Sequence, residues 1–165
     1  MQQRVRFVDA CKDWRRIVER LSDGAVFPSP EAIAPMGTWQ FQQLGVDAQR
    51  ARTLIALARE QVFAQFLSLE QPKEKLLLRL QRIPGIGPWT TAMVTGFGLG
   101  DPDALITGDV NLPRIVCEAL GSQDGKALAS DDARMIALLQ PFLGQRFRVC
   151  RLLIAASMGD DGAPR

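Results

Sequence analysis

Apolar residues recur at intervals of three and four positions in nearly every segment of this 165-residue chain, and glycine or proline separates the segments. That spacing places them on one face of an α-helix, whereas a half-buried strand alternates at every second position. No segment alternates convincingly, and no internal repeat or linker divides the chain. The pattern therefore predicts an all-α fold, in one domain, since this length suits a single core.

Capping residues and prolines predict where several helices begin. Ser29-Pro30 starts one helix, Asp47 caps a second, and Ser130 or Asp131 caps a third. The other helices are expected over 2–21, 39–43, 72–82, 88–97, 113–120 and 147–157, with a loop over 98–109. The first helix is expected to bury a stripe made of Val5, Val8, Cys11, Trp14, Ile17 and Leu21. A second stripe is expected at Ala51, Leu54, Ile55, Ala58 and Val62, and Trp39, like Trp14, is expected in the core.

Two residue types are missing from the sequence, histidine and tyrosine. Without imidazole, the chain has neither a histidine base nor histidine metal ligands, so acid–base chemistry falls to carboxylates. The cysteines, Cys11, Cys117 and Cys150, are too scattered for a disulfide framework, a zinc site or an iron–sulfur cluster. They are interpreted as free thiols that pack as small apolar residues.

The net charge of +2 does not by itself indicate a nucleic-acid partner. Basic residues do cluster near both ends, at Arg4, Arg6, Lys12, Arg15, Arg16 and Arg20 and at Arg146, Arg148 and Arg151. Such patches can follow phosphates, but a solvated helix face is the favoured interpretation on sequence alone. No apolar run is as long as a membrane span and no signal peptide opens the chain, so a cytoplasmic protein without membrane contact is expected.

The most informative segment starts at position 80 and reads Leu-Gln-Arg-Ile-Pro-Gly-Ile-Gly-Pro-Trp-Thr-Thr-Ala. Gly85 and Gly87 bracket Ile86 in a tight turn between two helices, where positive φ is expected to require glycine. Pro88 suits the first turn of the second helix. The N–H groups of the turn and of that helix are then expected to point outward together and to bind an anion such as a DNA phosphate.

The alternative is an ordinary corner between two helices, which a bare Pro-Gly-Ile-Gly would favour. In either case Ile83 and Ile86 are expected to anchor the turn in the core. The longer match, continuing through Trp89 to Ala92, is more specific than the turn alone.

The segment closely resembles the hairpin of the helix-hairpin-helix DNA glycosylases (the HhH-GPD superfamily), and within them the AlkA type of 3-methyladenine DNA glycosylase. Further similarity lies at 27–32, 44–45, 50–51, 100–109 and 146–153, so it covers nearly the whole chain. The resemblance implies a glycosylase core over 1–158, N-terminally incomplete, followed by a frayed tail over 159–165. The family's N-terminal helices and small β domain are expected to be missing.

The function implied by the resemblance is base-excision repair: hydrolysis of the N-glycosidic bond of alkylated purines of the 3-methyladenine type in duplex DNA. Damaged double-stranded DNA is then the partner, and a monomer associated with the nucleoid is expected. Two alternatives stay open. One is a DNA-binding module that keeps the hairpin without catalysis, and the other is a glycosylase for deaminated or oxidised bases.

The resemblance gives the catalytic role to Asp109, which follows the glycine that closes the loop over 100–109. Cleavage builds positive charge on the sugar, and a carboxylate beside it stabilises that charge or orients the attacking water. From the residues alone, Asp109 is equally suited to capping the helix that begins near Pro113. Asp101 and Asp103, in the same loop, are candidates for turn residues bonded to their own backbone.

Trp89 occupies the place where bifunctional members of the superfamily have a Schiff-base lysine, and the four lysines all lie outside the hairpin. The expected reaction is therefore monofunctional hydrolysis without lyase chemistry. No iron–sulfur cluster and no metal bound by side chains is expected. The only cofactor for which the resemblance leaves room is a monovalent cation held by hairpin carbonyls.

An extrahelical base needs an aromatic or apolar pocket, and a positively charged alkylated purine favours an electron-rich wall. Trp89 is the main candidate by resemblance, and Phe142 is a second that suits the core equally well. Val110 departs from the aromatic residue usual after the aspartate, which implies a thinner pocket. The expected DNA-binding residues are Gly85, Ile86, Gly87, Trp89, Thr90, Gln3 and Arg4, with Arg4 where an apolar wedge is usual.

Overall fold

The computed structural model describes residues 7–22, 26–60, 73–121 and 131–157. Every regular element within these ranges is helical, which confirms the all-α prediction. The helices are α1 (Phe7–Leu21), α2 (Pro30–Ile33), α3 (Thr38–Gln43), α4 (Ala48–Arg59), α5 (Lys73–Gln81), α6 (Pro88–Met93), α7 (Leu112–Leu120), α8 (Asp132–Leu139) and α9 (Arg146–Ser157). Across the same ranges, none of them has the length and apolar character needed to cross a membrane.

The chain divides into two compact units, Met1–Gly87 and Pro88–Arg165, where sequence analysis expected one domain. In the first unit, α2 and α3 pack against α4. The buried residues of that core are Ile17, Ile33, Met36, Phe41, Val46, Ala51, Ile55 and Ala58. Three of them belong to the stripe predicted for α4, and Leu54 packs partly buried beside them, while Val62 lies outside the described residues.

The buried face of α1 differs from the prediction. Ala10, Asp13, Ile17 and Val18 are buried, whereas Val8 is 59% exposed and Trp14 is 43% exposed. Trp39 is 61% exposed, so placing either tryptophan in the core was wrong. Ile17 is buried and Leu21 packs partly buried beside it, as predicted, but nearer the start of the helix the buried positions, Ala10 and Asp13, lie one residue before the predicted ones.

Asp13 is buried because it pairs with Arg50, which is also buried. Arg50 Nη1 donates to Asp13 Oδ2 at 3.0 Å, and its Nε donates to Asp47 Oδ2. Asp47 also caps α4, as predicted, by accepting from the backbone N–H groups of Gln49 and Arg50. Removing one partner of such a buried pair leaves an uncompensated charge. The network therefore joins α1 to the start of α4.

In the second unit, α7 packs against both α8 and α9. Its buried core comprises Ala92, Ala104, Ile106, Leu112, Val116, Met135, Leu139, Phe147 and Cys150. Gly96 lies directly on the Phe147 ring, since an added Cβ would be only 2.2 Å from the nearest ring carbon. All three cysteines are free, as predicted, and Cys150 is the one that is buried.

The helix predicted over 88–97 changes type partway. The α-helical turns end at Met93, and Val94–Gly98 forms a π-helical turn closed by a bond from Leu99 N to Val94 O. The buried Thr95 hydroxyl donates to Thr91 O at 2.7 Å. A threonine that bonds to the carbonyl four residues earlier competes with the regular helix ladder at the point where the helix changes type.

The predicted caps are present at two further helices. Ser29 accepts from Ala32 N at the start of α2, and Asp131, the second of the two candidates, accepts from Arg134 N at the start of α8. The helix predicted to start at Ser29-Pro30 is short and ends at Ile33. The tail over 159–165 lies outside the described residues.

Candidate active site

The turn of the hairpin lies in the first unit and is held by a hydrogen bond from α4. Gly85 has φ +92°, the left-handed conformation predicted for it. Thr53 in α4 donates through Oγ1 to the Pro84 carbonyl at 2.9 Å. A Cβ added to Gly85 would lie only 2.2 Å from Thr53 Oγ1. Gly85 is therefore required both by its backbone conformation and by the close approach of Thr53.

Gly87 differs from Gly85, and the expectation that its φ would be positive was wrong. Its φ lies outside the left-handed region, and an added Cβ would meet no heavy atom of the described residues within 4 Å. Nothing in the packing of the turn therefore requires a glycine here. The open space above its Cα leaves room for a partner to approach the backbone closely.

Ile83 and Ile86 are both buried, as predicted for anchors of the turn. Because the Ile86 side chain points inward, any contact of this residue with DNA has to come from its backbone. Thr90 is half-buried in α6, which begins at Pro88 as predicted and belongs to the second unit. Convergence of the N–H groups of turn and helix stays a prediction.

Trp89 and Asp109, the two residues predicted for the pocket and for catalysis, are in direct contact. The indole Nε1 of Trp89 donates to Oδ2 of Asp109 at 2.8 Å. Trp89 is half-buried and packs against the core of the second unit. The core of the second unit thus supports the side chain of Trp89, and the indole N–H binds one carboxylate oxygen of Asp109.

The other oxygen of Asp109 caps a helix. Oδ1 accepts from Asn111 N at 2.8 Å and from Leu112 N at 2.9 Å, just where α7 begins. The capping interpretation of Asp109 is therefore correct, and it is compatible with catalysis. Three N–H donors fix the orientation of one half-buried carboxylate, as electrostatic stabilisation of a cationic sugar requires.

The two competing aspartates in the loop have structural partners. Asp101 accepts from Asp103 N at 2.8 Å and forms the local turn expected of it. Asp103 instead binds a distant segment: its Oδ1 accepts from Gly144 N and Arg146 N, and its carboxylate forms an ion pair with the Arg146 guanidinium. Of the two candidates for a turn residue, Asp101 forms the turn and Asp103 does not.

The hydrogen bonds and charge of Arg146 lower the pKa of Asp103 to about 2, against the partial desolvation of the carboxyl. The Gly144 amide acts in the same direction. This pair connects the loop before Asp109 to the start of α9.

The other arginines of α9 also have partners within the unit. Arg148 donates to Gln145, and the guanidinium of Arg151 lies 4.3 Å from the ring centroid of Phe97. Phe97 in turn meets Phe147 edge to face. Arg148 and Arg151 are both exposed, as the solvated-face interpretation expects.

Phe142 lies in the 3-10 turn Gln140–Phe142 and is 37% exposed. No described ring contact or hydrogen bond joins it to Trp89 or Asp109, and its place in the pocket stays a prediction. Val110 is almost fully exposed. Gln3 and Arg4 lie outside the described residues.

One residue near Asp109 was missed by the sequence analysis. Asp132, at the start of α8, accepts from Gly108 N at 2.8 Å. The only local signal was the doubled aspartate at this helix start, where a single capping residue suffices. Nothing in the sequence pattern connects it to a loop 24 positions earlier.

Residues 1–137 match the family described as HhH-GPD superfamily base excision DNA repair protein. A Bacillus subtilis protein provisionally named DNA-3-methyladenine glycosylase YfjP is 31% identical over 94 residues, which cover 54% of this chain and 32% of that protein. DNA-3-methyladenine glycosylase 1 of Schizosaccharomyces pombe is 28% identical over 96 residues, covering 56% and 42%. The chain thus spans less than half the length of either relative.

A solved structure, the 3-methyladenine DNA-glycosylase from Archaeoglobus fulgidus, superposes with a TM-score of 0.75. The match covers 94% of this chain and 54% of that one, at 23% identity, and it establishes the shared fold. The family match covers most of the sequence, including the hairpin and the loop that carries Asp109. The chain belongs to the HhH-GPD superfamily of base excision DNA repair proteins.

Proposed function

We propose that this protein is a monofunctional DNA glycosylase that hydrolyses the N-glycosidic bond of alkylated purines, of the 3-methyladenine type, in duplex DNA. The observation that carries the proposal is the hydrogen bond between Trp89 and Asp109. It puts an aromatic side chain, suited to a cationic base, beside a carboxylate suited to a cationic sugar.

In the proposed reaction, the damaged nucleotide leaves the helix and its base lies against Trp89. The bond between base and sugar breaks as positive charge develops on the deoxyribose. The electron pair of that bond leaves with the base, Asp109 stabilises the charge on the sugar, and a water molecule adds to the sugar carbon and gives up its proton to Asp109. The products are a free base and an abasic site in an otherwise intact strand.

The names of the two curated relatives support the choice of alkylated purine, since both contain DNA-3-methyladenine glycosylase. The presence of Trp89 in place of a hairpin lysine supports hydrolysis over a Schiff-base mechanism. Contact of the hairpin with a DNA phosphate is supported by the open space above Gly87.

The test is release of base from alkylated duplex DNA, with the whole chain and with Asp109→Asn. The wild type is expected to release 3-methyladenine and leave alkali-labile sites, and the variant to lose most of this activity while still binding duplex. Borohydride should trap no covalent complex. If a folded wild type binds duplex but releases no base, the DNA-binding-module alternative replaces this proposal. If base is released from deaminated or oxidised duplexes but not from alkylated ones, the result favours the alternative of a glycosylase for those bases.

A further inference from the structure

The peptide unit directly before Asp109 is held by a side chain from another helix. Oδ2 of Asp132, the first residue of α8, accepts from the backbone N–H of Gly108 at 2.8 Å. The two residues are 24 positions apart, so the bond fixes the loop relative to α8. It acts one residue before the carboxylate on which the proposed function rests.

Gly108 needs such a restraint more than most residues. Its φ is +73°, a conformation in which glycine has freedom that other residues lack. Within the part of the chain that the structure describes, an added Cβ would meet no heavy atom within 4 Å, so close packing there does not hold this residue in place. A hydrogen bond to its N–H therefore removes motion that the surrounding side chains would permit.

Asp132 is not required to cap α8, because its neighbour does so. Asp131 accepts from Arg134 N at 2.9 Å in the usual capping geometry. Asp132 Oδ1 is buried and has no hydrogen-bond partner among the described residues. Leaving a buried carboxylate oxygen without a partner costs stability, so this aspartate is not explained as a stabilising residue.

We propose that Asp132 is a positioning residue for Asp109, acting through the Gly108 N–H, to which Asp132 Oδ2 is bonded. Asp132 fixes the backbone from which the catalytic side chain projects, and Trp89, with the amides of Asn111 and Leu112, fixes the carboxylate itself. This inference rests on the proposed function of Asp109 and adds a second restraint on the position of its carboxylate. Small displacements of a catalytic group lower the rate far more than they lower binding.

Three variants test the proposal. Asp132→Ala removes the bond to Gly108, whereas Asp132→Asn keeps an oxygen acceptor and changes only the unpartnered position and the charge. Asp131→Ala is the matched control, since it removes a neighbouring carboxylate that caps the same helix without contacting Gly108. Each is assayed for single-turnover base release, duplex affinity and thermal unfolding.

Asp132→Ala is expected to lower the single-turnover rate about tenfold or more, with duplex affinity unchanged. Asp132→Asn should restore most of that rate. Asp131→Ala is expected to lower the Tm while the rate stays that of the wild type. The proposal is overturned if Asp132→Ala reacts at the wild-type rate, or if Asp132→Asn is as slow as Asp132→Ala.

Amide hydrogen exchange at Gly108 gives a second test that does not depend on activity. The Gly108 N–H should exchange slowly in the wild type, in Asp132→Asn and in Asp131→Ala, and fast in Asp132→Ala. Equal exchange in all four proteins overturns the anchoring of Gly108. A wild type with no activity on any duplex overturns the proposed function instead, and the exchange data then decide the anchoring separately.

Discussion

The indole Nε1 of Trp89 and Oδ2 of Asp109 lie 2.8 Å apart and share a hydrogen bond across 20 positions of sequence. The same carboxylate caps α7 through its other oxygen. Displacing the indole therefore disturbs both the proposed pocket wall and the carboxylate proposed to act on the sugar. A substitution that keeps an aromatic ring but removes the N–H separates these two roles.

Trp89→Phe keeps an aromatic face and removes the N–H donor. A hydrogen bond to a charged group contributes ~1.5–3 kcal/mol. If that energy holds Asp109 in its reactive orientation, base release should slow at least tenfold, since each ~1.4 kcal/mol in the barrier is a factor of ten. Single-turnover release from alkylated duplex measures it. Trp39→Phe is the matched control because Trp39 is largely exposed, and a Trp89→Phe rate equal to the control's would contradict the prediction.

Gly87→Ala is expected to weaken duplex binding without lowering stability. The added methyl group has open space within the protein, so urea unfolding should give a free energy close to that of the wild type. The same methyl would lie between the hairpin backbone and an approaching phosphate. Because phosphate contacts carry no sequence information, affinity should fall equally for duplexes of different sequence.

Gly85→Ala is the contrasting control for that experiment. Its φ of +92° and the 2.2 Å approach to Thr53 Oγ1 should cost ~1–3 kcal/mol of folding free energy. If Gly87→Ala binds duplex with unchanged affinity, the proposed contact between the hairpin and a DNA phosphate is contradicted.

The ion pair between Asp103 and Arg146 should make stability depend on pH at the acid end. The pKa of Asp103 is about 2 in the folded protein, below its ordinary 3.8, so its contribution is complete above pH 4 and is lost as the pH falls from 4 to 2. After allowance for solvent screening, the ion pair is expected to contribute ~1–2 kcal/mol to the free energy of unfolding. Urea unfolding of wild type and Asp103→Asn at several pH values measures it. A stability difference that stays constant between pH 2 and 6 would contradict the assignment.

Cys150 should be the least reactive of the three thiols. Burial raises its pKa to about 11, so very little thiolate is present at neutral pH, and the thiolate is the reactive form. Ellman's reagent should modify the half-buried Cys11 and Cys117 in the native protein and Cys150 only after unfolding in urea. In Cys150→Ala, unfolding should expose no further reactive thiol; a third thiol that reacts in the native wild type would contradict the prediction.

Local chemistry accounts for the parts of the fold that the sequence predicted correctly. Asp47 and Asp131 cap helices by bonding to amides two or three residues away, and such short-range geometry is legible in a sequence. Gly85 was predicted for the same reason, since a tight turn constrains its own φ.

The errors arise where distant partners decide the outcome. The face of α1 was misjudged because helical periodicity does not reveal that Asp13 is neutralised by Arg50, 37 positions away. Asp103 was one of two candidates for a local turn residue, and the sequence does not reveal that its partner, Arg146, lies 43 positions away. Family resemblance singled out Trp89 and Asp109, but their hydrogen bond depends on how the loop returns to α6, which no local spacing specifies.

The π turn over Val94–Gly98 predicts how homologous sequences should align with this one. A π turn holds one residue more than the α-helix would over a comparable stretch, and it forms most simply by insertion of a single residue. Homologous chains that keep a regular helix after the hairpin should therefore align here with a one-residue gap. Gly96, which faces the Phe147 ring, should be retained only where the extra residue is retained.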